Sequence, residues 1–158
     1  MKMIKFTVIC KSKHWPARVK KIKSIIKRIL KFKKDLKFRQ AITYNCNIIL
    51  ADNNLIKKIN YKFRKKKQST DVLTFVSEIG KNNIQKFKIC DIFISAEVIK
   101  KDAKRNNTAF YDHLTHILIH SFLHINGFNH LKNKDYYQMN KKEVLILKKL
   151  GIINAAFK

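Results

Sequence analysis

The sequence predicts an α+β (α/β-like) fold in a single domain over residues 1–158, with one mixed four-stranded sheet packed with about five helices and a metal site at the end of the longest helix. Four segments alternate apolar and polar residues as half-buried strands do, and four others repeat apolar residues at helical spacing, with a fifth helix predicted from its N-cap. A length of 158 residues suits one domain, and the single proline and three glycines leave no flexible linker.

The N-terminal part of the chain predicts a strand, a basic helix and a second strand. Residues 4–10 alternate and are rich in β-forming side chains. Residues 19–32 place isoleucines on one helical face and lysines on the other. These lysines are expected on phosphates, on a membrane surface or simply in solvent. Residues 40–50 alternate again and predict the second strand.

The middle of the chain predicts a short helix, a basic loop and the third strand. Asp52 or Asn53 is suited to cap a helix that runs to Phe63, because a short polar side chain accepts a hydrogen bond from the first helical turn. Residues 64–68 then form a polar basic loop, and residues 70–76 return to strand character.

The C-terminal half predicts a turn, the fourth strand and three helices. The turn spans residues 78–85, the strand 87–95, and the two longer helices 108–126 and 135–150. Between them Ser95 is suited to cap a short helix that ends at Lys104. In the last helix the side chains expected to face inward are Tyr137, Val144, Leu145, Leu147 and Leu150.

Three histidines near the end of the longest helix predict a metal site. His120 and His124 are four residues apart, so they share one helix face with about 6 Å of rise between them. Gly127 is a natural helix end, because glycine enters the left-handed conformation readily, and the chain can then bring His130 back as a third ligand. Three nitrogen ligands leave a fourth position open for water, as in catalytic zinc sites.

The residue after the first histidine bears on the reaction. A zinc peptidase of the HExxH type needs glutamate there as general base. Ser121 occupies that position and does not act as a base at neutral pH. The histidine spacing therefore resembles that of metzincin peptidases while the base is missing, which argues against peptide hydrolysis.

The charge of the chain points to a polyanionic partner. With Lys+Arg 36 against Asp+Glu 10, the net charge is +26, which compositional drift toward lysine explains only in part. Nucleic acid is the favoured partner, and an anionic membrane surface is the other candidate. Cys10, Cys46 and Cys90 are widely spaced and predict reduced, mostly buried thiols in a cytoplasmic protein. No window approaches the length of a transmembrane helix. Because nucleic acid is favoured over a membrane surface, the expected partners include no membrane.

The segment from His120 to His130 resembles H-G-x-L-H-L-x-G-Y-D-H, the signature of the YbeY family of bacterial endoribonucleases. Its departures from that signature are Ser121, Ile125, Phe128 and Asn129. Three further segments match the family in the same order along the chain. They are the Asn60-x-x-Phe63-Arg64 block with residues 70–75, then residues 90–95, and then His116. If the family aspartate orients a metal ligand, Asn129 still accepts a hydrogen bond but contributes no charge.

The resemblance implies one Zn²⁺ ion held by His120, His124 and His130, with Arg64 and His120 as catalytic residues. The residues expected to bind RNA are Arg64, Lys65, Lys66 and Lys67. The implied activity is a single-strand-specific endoribonuclease in rRNA processing, at the 3′-end of small-subunit (16S) rRNA and in ribosome quality control. Implied partners are single-stranded RNA and the ribosomal small subunit, with its proteins or an assembly GTPase.

Two alternatives stay open beside this reading. A ribosome-assembly factor that binds RNA and holds a mainly structural metal predicts that Arg64→Ala leaves the biological role intact. A metallopeptidase is the weaker alternative, because Ser121 replaces the general base. Asp71 and Asp91 are expected either to line the cleft or to shape a turn, and His116 either to hydrogen-bond near the metal or to be a buried structural histidine.

Overall fold

The computed structural model of the chain describes residues 4–15, 18–80 and 86–153, and it confirms the predicted α+β fold class. Within these residues lie one mixed sheet of four strands and five helices. The elements are β1 (Ile4–Cys10), α1 (Val19–Ile29), β2 (Ile42–Ala51), α2 (Asn53–Arg64), β3 (Val72–Ile79), β4 (Lys86–Ser95), α3 (Ala96–Arg105), α4 (Phe110–Ile125) and α5 (Asn133–Lys149).

The sheet has the strand order β1-β2-β4-β3. β1 and β4 both pair in parallel with β2, whereas β3 pairs antiparallel with β4, which makes the sheet mixed. β3 extends to Ile79, opposite Phe87, so the predicted turn at residue 78 begins too early. The ladder with β4 holds this segment in strand form although its side chains are exposed. The rest of that predicted turn, residues 81–85, lies outside the described residues.

The described residues divide into two compact units, and the boundary crosses α1 and α3. The sheet unit holds the described residues up to 19 and those of 39–98, and therefore contains the whole sheet and α2. The helical unit holds residues 20–38 and the described residues from 99 onward, and therefore contains α4 and α5. A single domain over residues 1–158 stays a prediction.

In the sheet unit, α2 begins as its sequence predicts. Asp52 is the N-cap, and its side chain accepts a hydrogen bond from the Leu55 amide at 2.9 Å. Ile56 packs with Ala51 and Leu73 in a fully buried cluster. The N-cap and this buried contact together fix where α2 starts on the sheet.

In the helical unit, α4 packs against α5 and ends at a glycine turn. Gly127 has a φ of 93°, and the Phe128 amide donates back to the Leu123 carbonyl at 3.1 Å, which is the Schellman arrangement. The Asn126 side chain donates to the Leu36 carbonyl at 2.9 Å and ties this helix end to the segment after α1. The turn reverses the chain directly before His130.

α1 has the predicted amphipathic character but is shorter than expected. Its buried side chains are Ile22, Ile25, Ile26 and Ile29, and its exposed cations are Lys20, Lys21, Lys23, Lys27 and Arg28. The α-helix ends at Ile29 and tightens into a 3-10 turn over Leu30–Phe32. Across the residues described, no helix combines the length and the apolar character that crossing a membrane requires.

Candidate metal centre

The three histidines predicted as metal ligands lie together in the helical unit. His120 and His124 stand one turn apart on α4, and their Nε2 atoms are 3.0 Å apart. The ring of His130 lies 5.5 Å from that of His120 and 5.0 Å from that of His124, measured between centroids. One nitrogen from each ring falls within 4.8 Å of the other two. The glycine stop therefore returns the third imidazole to the first two.

This donor set fits a metal ion. Imidazole nitrogens bind zinc and related divalent ions at about 2.0–2.1 Å, which places neighbouring ligands of a tetrahedral ion about 3.4 Å apart. The 3.0 Å between the Nε2 atoms of His120 and His124 is close to that separation. Burial, followed by the neighbouring rings of His120 and His130, lowers the pKa of His124 to about 4. His124 is therefore neutral at physiological pH, with a lone pair for a metal.

A buried carboxylate on α5 completes the cluster. Glu143 is 5% exposed, and its Oε1 lies 2.5 Å from Nδ1 of His120 while its Oε2 lies 2.8 Å from Nε2 of His116. Burial alone raises the pKa of this carboxyl, but the hydrogen bonds with His116 and His120 outweigh burial and hold the pKa at about 2. Glu143 is thus an anion between two imidazoles.

The sequence prediction missed Glu143 because its inward face for α5 was only partly right: Leu147 is buried as predicted, but two other members are exposed. Tyr137 is 72% exposed and Leu145 is 46% exposed, contrary to the prediction. The buried residues of this helix are Met139, Glu143, Ile146 and Leu147. Glu143 is in helical phase with these apolar residues, and a carboxylate on an apolar face was the available signal.

Three other polar residues near the histidine segment have local partners. The buried Ser121 hydroxyl donates to the Ile117 carbonyl at 3.0 Å, an ordinary helix contact. Asn129, the position of the family aspartate, accepts from the Leu131 amide at 3.2 Å and so helps to shape the loop that carries His130. His116 hydrogen-bonds to Glu143, which in turn contacts His120, so of its two expected roles His116 has that of a hydrogen-bonding residue near the histidine cluster.

The predicted catalytic arginine and its lysines lie in the sheet unit, at the end of α2. The Arg64 guanidinium lies 6.0 Å from the centre of the Phe75 ring. Lys65, in the left-handed conformation with a φ of 57°, ends the helix. All four predicted RNA-binding residues, namely Arg64, Lys65, Lys66 and Lys67, are exposed. The histidine cluster belongs to the helical unit, so the structure describes these two groups separately.

The two strand aspartates have local structural partners. Asp71 accepts from the Val72 amide at 2.8 Å and from the Thr70 hydroxyl at 3.1 Å, so it shapes the start of β3. Asp91 accepts from the Asn47 side chain at 2.9 Å across the β2–β4 pair. These contacts place Asp71 at the start of β3 and Asp91 on the β2–β4 pair.

Comparison with known proteins gives consistent matches over most of the chain. The profile of the family described as Endoribonuclease YbeY matches residues 7–151. A protein from Pelagibacter ubique named Endoribonuclease YbeY is 38% identical over 147 residues, which are 92% of this chain and 95% of that protein. A protein of the same name from Ehrlichia canis is 35% identical over 144 residues, 90% of each chain.

A solved structure supports the fold. The solution structure of a protein from Thermotoga maritima superposes with a TM-score of 0.55 and covers 93% of this chain and 92% of its own. The two sequences are 20% identical, so this likeness concerns the fold alone.

Proposed function

The chain belongs to the Endoribonuclease YbeY family, and from this premise we propose that it is a metal-dependent endoribonuclease that cleaves single-stranded RNA. The observation that carries the proposal is the convergence of His120, His124 and His130 on one point. Relatives that share most of the chain bear the endoribonuclease name, which supports RNA as the substrate class.

We propose Zn²⁺, one ion, as the metal held by His120, His124 and His130. Held by these three nitrogens, the ion would supply a Lewis acid that polarises a phosphoryl oxygen or activates water for attack. The protein contributes two imidazoles presented by one turn of α4 and a third from the loop after Gly127. His120 is proposed as catalytic in this sense, because it holds the reacting centre.

The end of α2 is the proposed RNA-binding surface. Its cations, Arg64 with Lys65, Lys66 and Lys67, neutralise phosphates without reading sequence. Two exposed rings accompany them: Tyr61 is 51% exposed and Phe63 is 58% exposed. The Nζ atoms of Lys65 and Lys67 lie 5.7 and 5.8 Å from the centre of the Tyr61 ring. Unpaired bases stack on exposed rings, so this surface favours single strands over duplexes.

Arg64 is proposed as the catalytic cation. Phosphodiester cleavage adds negative charge to an anionic centre, and a guanidinium stabilises that charge while it binds two phosphate oxygens at once. Arg64 is exposed, and its guanidinium lies 6.0 Å from the centre of the Phe75 ring, so the group is open to a phosphate. A lysine at this position would supply the positive charge but would not bind a phosphate group in a bidentate manner.

The proposed cellular role is rRNA processing at the 3′-end of small-subunit (16S) rRNA and ribosome quality control in the cytoplasm. The net charge of +26 supports a large polyanionic partner such as the ribosomal small subunit. Its proteins or an assembly GTPase are the proposed protein partners. Cys46 and Cys90 face each other across β2 and β4 as free thiols, which supports a reducing compartment.

The test uses zinc-loaded protein with a single-stranded rRNA fragment and with the same fragment annealed to its complement. Cleavage of the single strand is expected to fall at least about 100-fold in His120→Ala and Arg64→Ala, since a group that stabilises the transition state contributes about that much. His14→Ala and Arg105→Ala are matched controls, because both residues are largely exposed and pair with carboxylates. Cleavage that survives both site substitutions would refute the proposal and indicate a contaminating nuclease.

The same protein variants distinguish the endoribonuclease proposal from the assembly-factor alternative. If the metal is mainly structural, Arg64→Ala binds RNA and supports ribosome assembly as the unchanged protein does, and neither protein cleaves RNA. The peptidase alternative predicts cleavage of an unstructured peptide by the zinc-loaded protein. Peptide cleavage is not expected, because the Ser121 hydroxyl is buried on the Ile117 carbonyl.

A further inference from the structure

Glu143 is a buried carboxylate with both oxygens engaged by histidines of another helix. It lies on α5, whereas His116 and His120 lie one turn apart on α4. Oε1 contacts Nδ1 of His120 at 2.5 Å, and Oε2 contacts Nε2 of His116 at 2.8 Å. A carboxylate that is only 5% exposed is costly to bury unless its oxygens are paired. The bridge satisfies both oxygens and joins α5 to the metal centre.

The contact with His120 determines which ring nitrogen faces the cluster. A neutral imidazole carries its hydrogen on one nitrogen and a lone pair on the other. A carboxylate only accepts, so Nδ1 of His120 is the donor in this contact, and in the neutral ring this leaves the lone pair on Nε2. That Nε2 is the atom 3.0 Å from Nε2 of His124. The hydrogen bond thus favours the one tautomer that presents a ligand atom to a metal.

The contact with His116 holds the carboxylate itself. A carboxylate anchored through one oxygen is free to rotate about its side-chain bonds. The second anchor, from a residue one helical turn before His120, fixes the plane in which Oε1 meets the ligand ring. His116 therefore acts on the metal centre through Glu143 and has no need to touch the ion.

We propose that Glu143 is a positioning residue of the metal centre, which, held by His116, fixes the tautomer and orientation of His120 and thereby raises metal affinity. This inference rests on the proposed function, since it presumes that the three histidines bind a metal. Hydrogen-bond partners of histidine ligands typically contribute about 10- to 100-fold in metal affinity. It assigns a role to α5, which contributes no predicted ligand.

The experiment compares Glu143→Gln with Glu78→Gln, the same chemical change at an exposed position on β3. Zn²⁺ affinity is measured by competition with a chromophoric chelator, and the His120 tautomer is read from ¹⁵N shifts of histidine-labelled, metal-free protein. Glu143→Gln is expected to weaken Zn²⁺ binding about 10- to 100-fold and to reduce the Nδ1–H tautomer of His120. Glu78→Gln is expected to match the unchanged protein in both.

A second pair of variants tests the role of His116. His116→Gln places an amide nitrogen where the ring Nε2 lies and is expected to keep most of the affinity, whereas His116→Phe fills the space without a donor and is expected to lose affinity. Equal Zn²⁺ affinity and an unchanged His120 tautomer in Glu143→Gln would overturn the inference while leaving the proposed function standing. Failure of the unchanged protein to bind Zn²⁺ would overturn both.

Discussion

Replacing Gly127 with alanine tests whether the glycine stop after α4 builds the metal centre. Gly127 has a φ of 93°, and a Cβ placed there meets no heavy atom within 4 Å. The cost of Gly127→Ala therefore comes from the backbone conformation alone, because no neighbour has to move. A left-handed conformation costs an L-residue about 1–2 kcal/mol. For a chain of this size that corresponds to a fall of about 2–8 °C in Tm.

The local hydrogen bonds show why the effect should reach the metal. Gly127 donates to the His124 carbonyl, and Phe128 donates to the Leu123 carbonyl, both at 3.1 Å. Relaxation of the strained alanine would loosen these bonds and shift His130, which follows three residues later. His130 is the one exposed member of the cluster and has the least packing to hold it in place. Gly127→Ala is therefore expected to lower both stability and Zn²⁺ affinity.

Gly151→Ala is the matched control for this prediction. Gly151 follows α5 with a φ of 78°, and a Cβ there also meets nothing within 4 Å. Urea unfolding of the metal-free proteins should show similar losses of stability for the two variants. Only Gly127→Ala should weaken Zn²⁺ binding in the chelator competition. A stability loss under about 0.3 kcal/mol, below the usual error of such comparisons, or equal Zn²⁺ affinity in the two variants would refute the reasoning.

Three further predictions follow from the same structure. The pKa of His124 is about 4 in the folded chain against an ordinary 6.5, so the unfolded chain binds the extra proton first as pH falls. Metal-free protein should therefore lose stability as the pH falls from about 6.5 to about 4. In His124→Gln, the midpoint of urea unfolding should depend less steeply on pH over this range. Tyr61→Ala should weaken single-stranded RNA binding by about 1–3 kcal/mol per stacked base in fluorescence anisotropy, while Tyr136→Ala, with similar exposure, should not. Free Zn²⁺ at about 100 times Kd should stabilise the protein by about 2.7 kcal/mol, and a chelator or His130→Ala should abolish the rise in Tm.

The parts of the fold that the sequence predicted well depend on local patterns. Alternation located the strands, and the N-cap at Asp52 marked the start of α2 within one residue. The errors lie where tertiary pairing overrides local preference. β3 continues to Ile79 because its backbone pairs with β4, although the exposed side chains of that segment resemble a turn.

The histidine cluster and Glu143 illustrate the same division at the site. A spacing of four residues on a helix and a glycine stop are local geometry, so they sufficed to predict that His120, His124 and His130 would meet. Glu143 lies 23 residues from His120 in sequence and reaches it from another helix. Its place depends on which face of α5 packs inward, and the abundance of apolar residues on that helix permitted more than one choice.

By itself, the sequence determined the strand and helix pattern, the three candidate ligands and the family resemblance, because each depends on residues that are neighbours along the chain. Only the tertiary structure decided the order of the strands, the inward face of α5 and the partner that orients His120. These features depend on which apolar surfaces of distant segments are buried against each other. The hydrophobic effect is non-directional, so an apolar face of a segment does not by itself specify its partner.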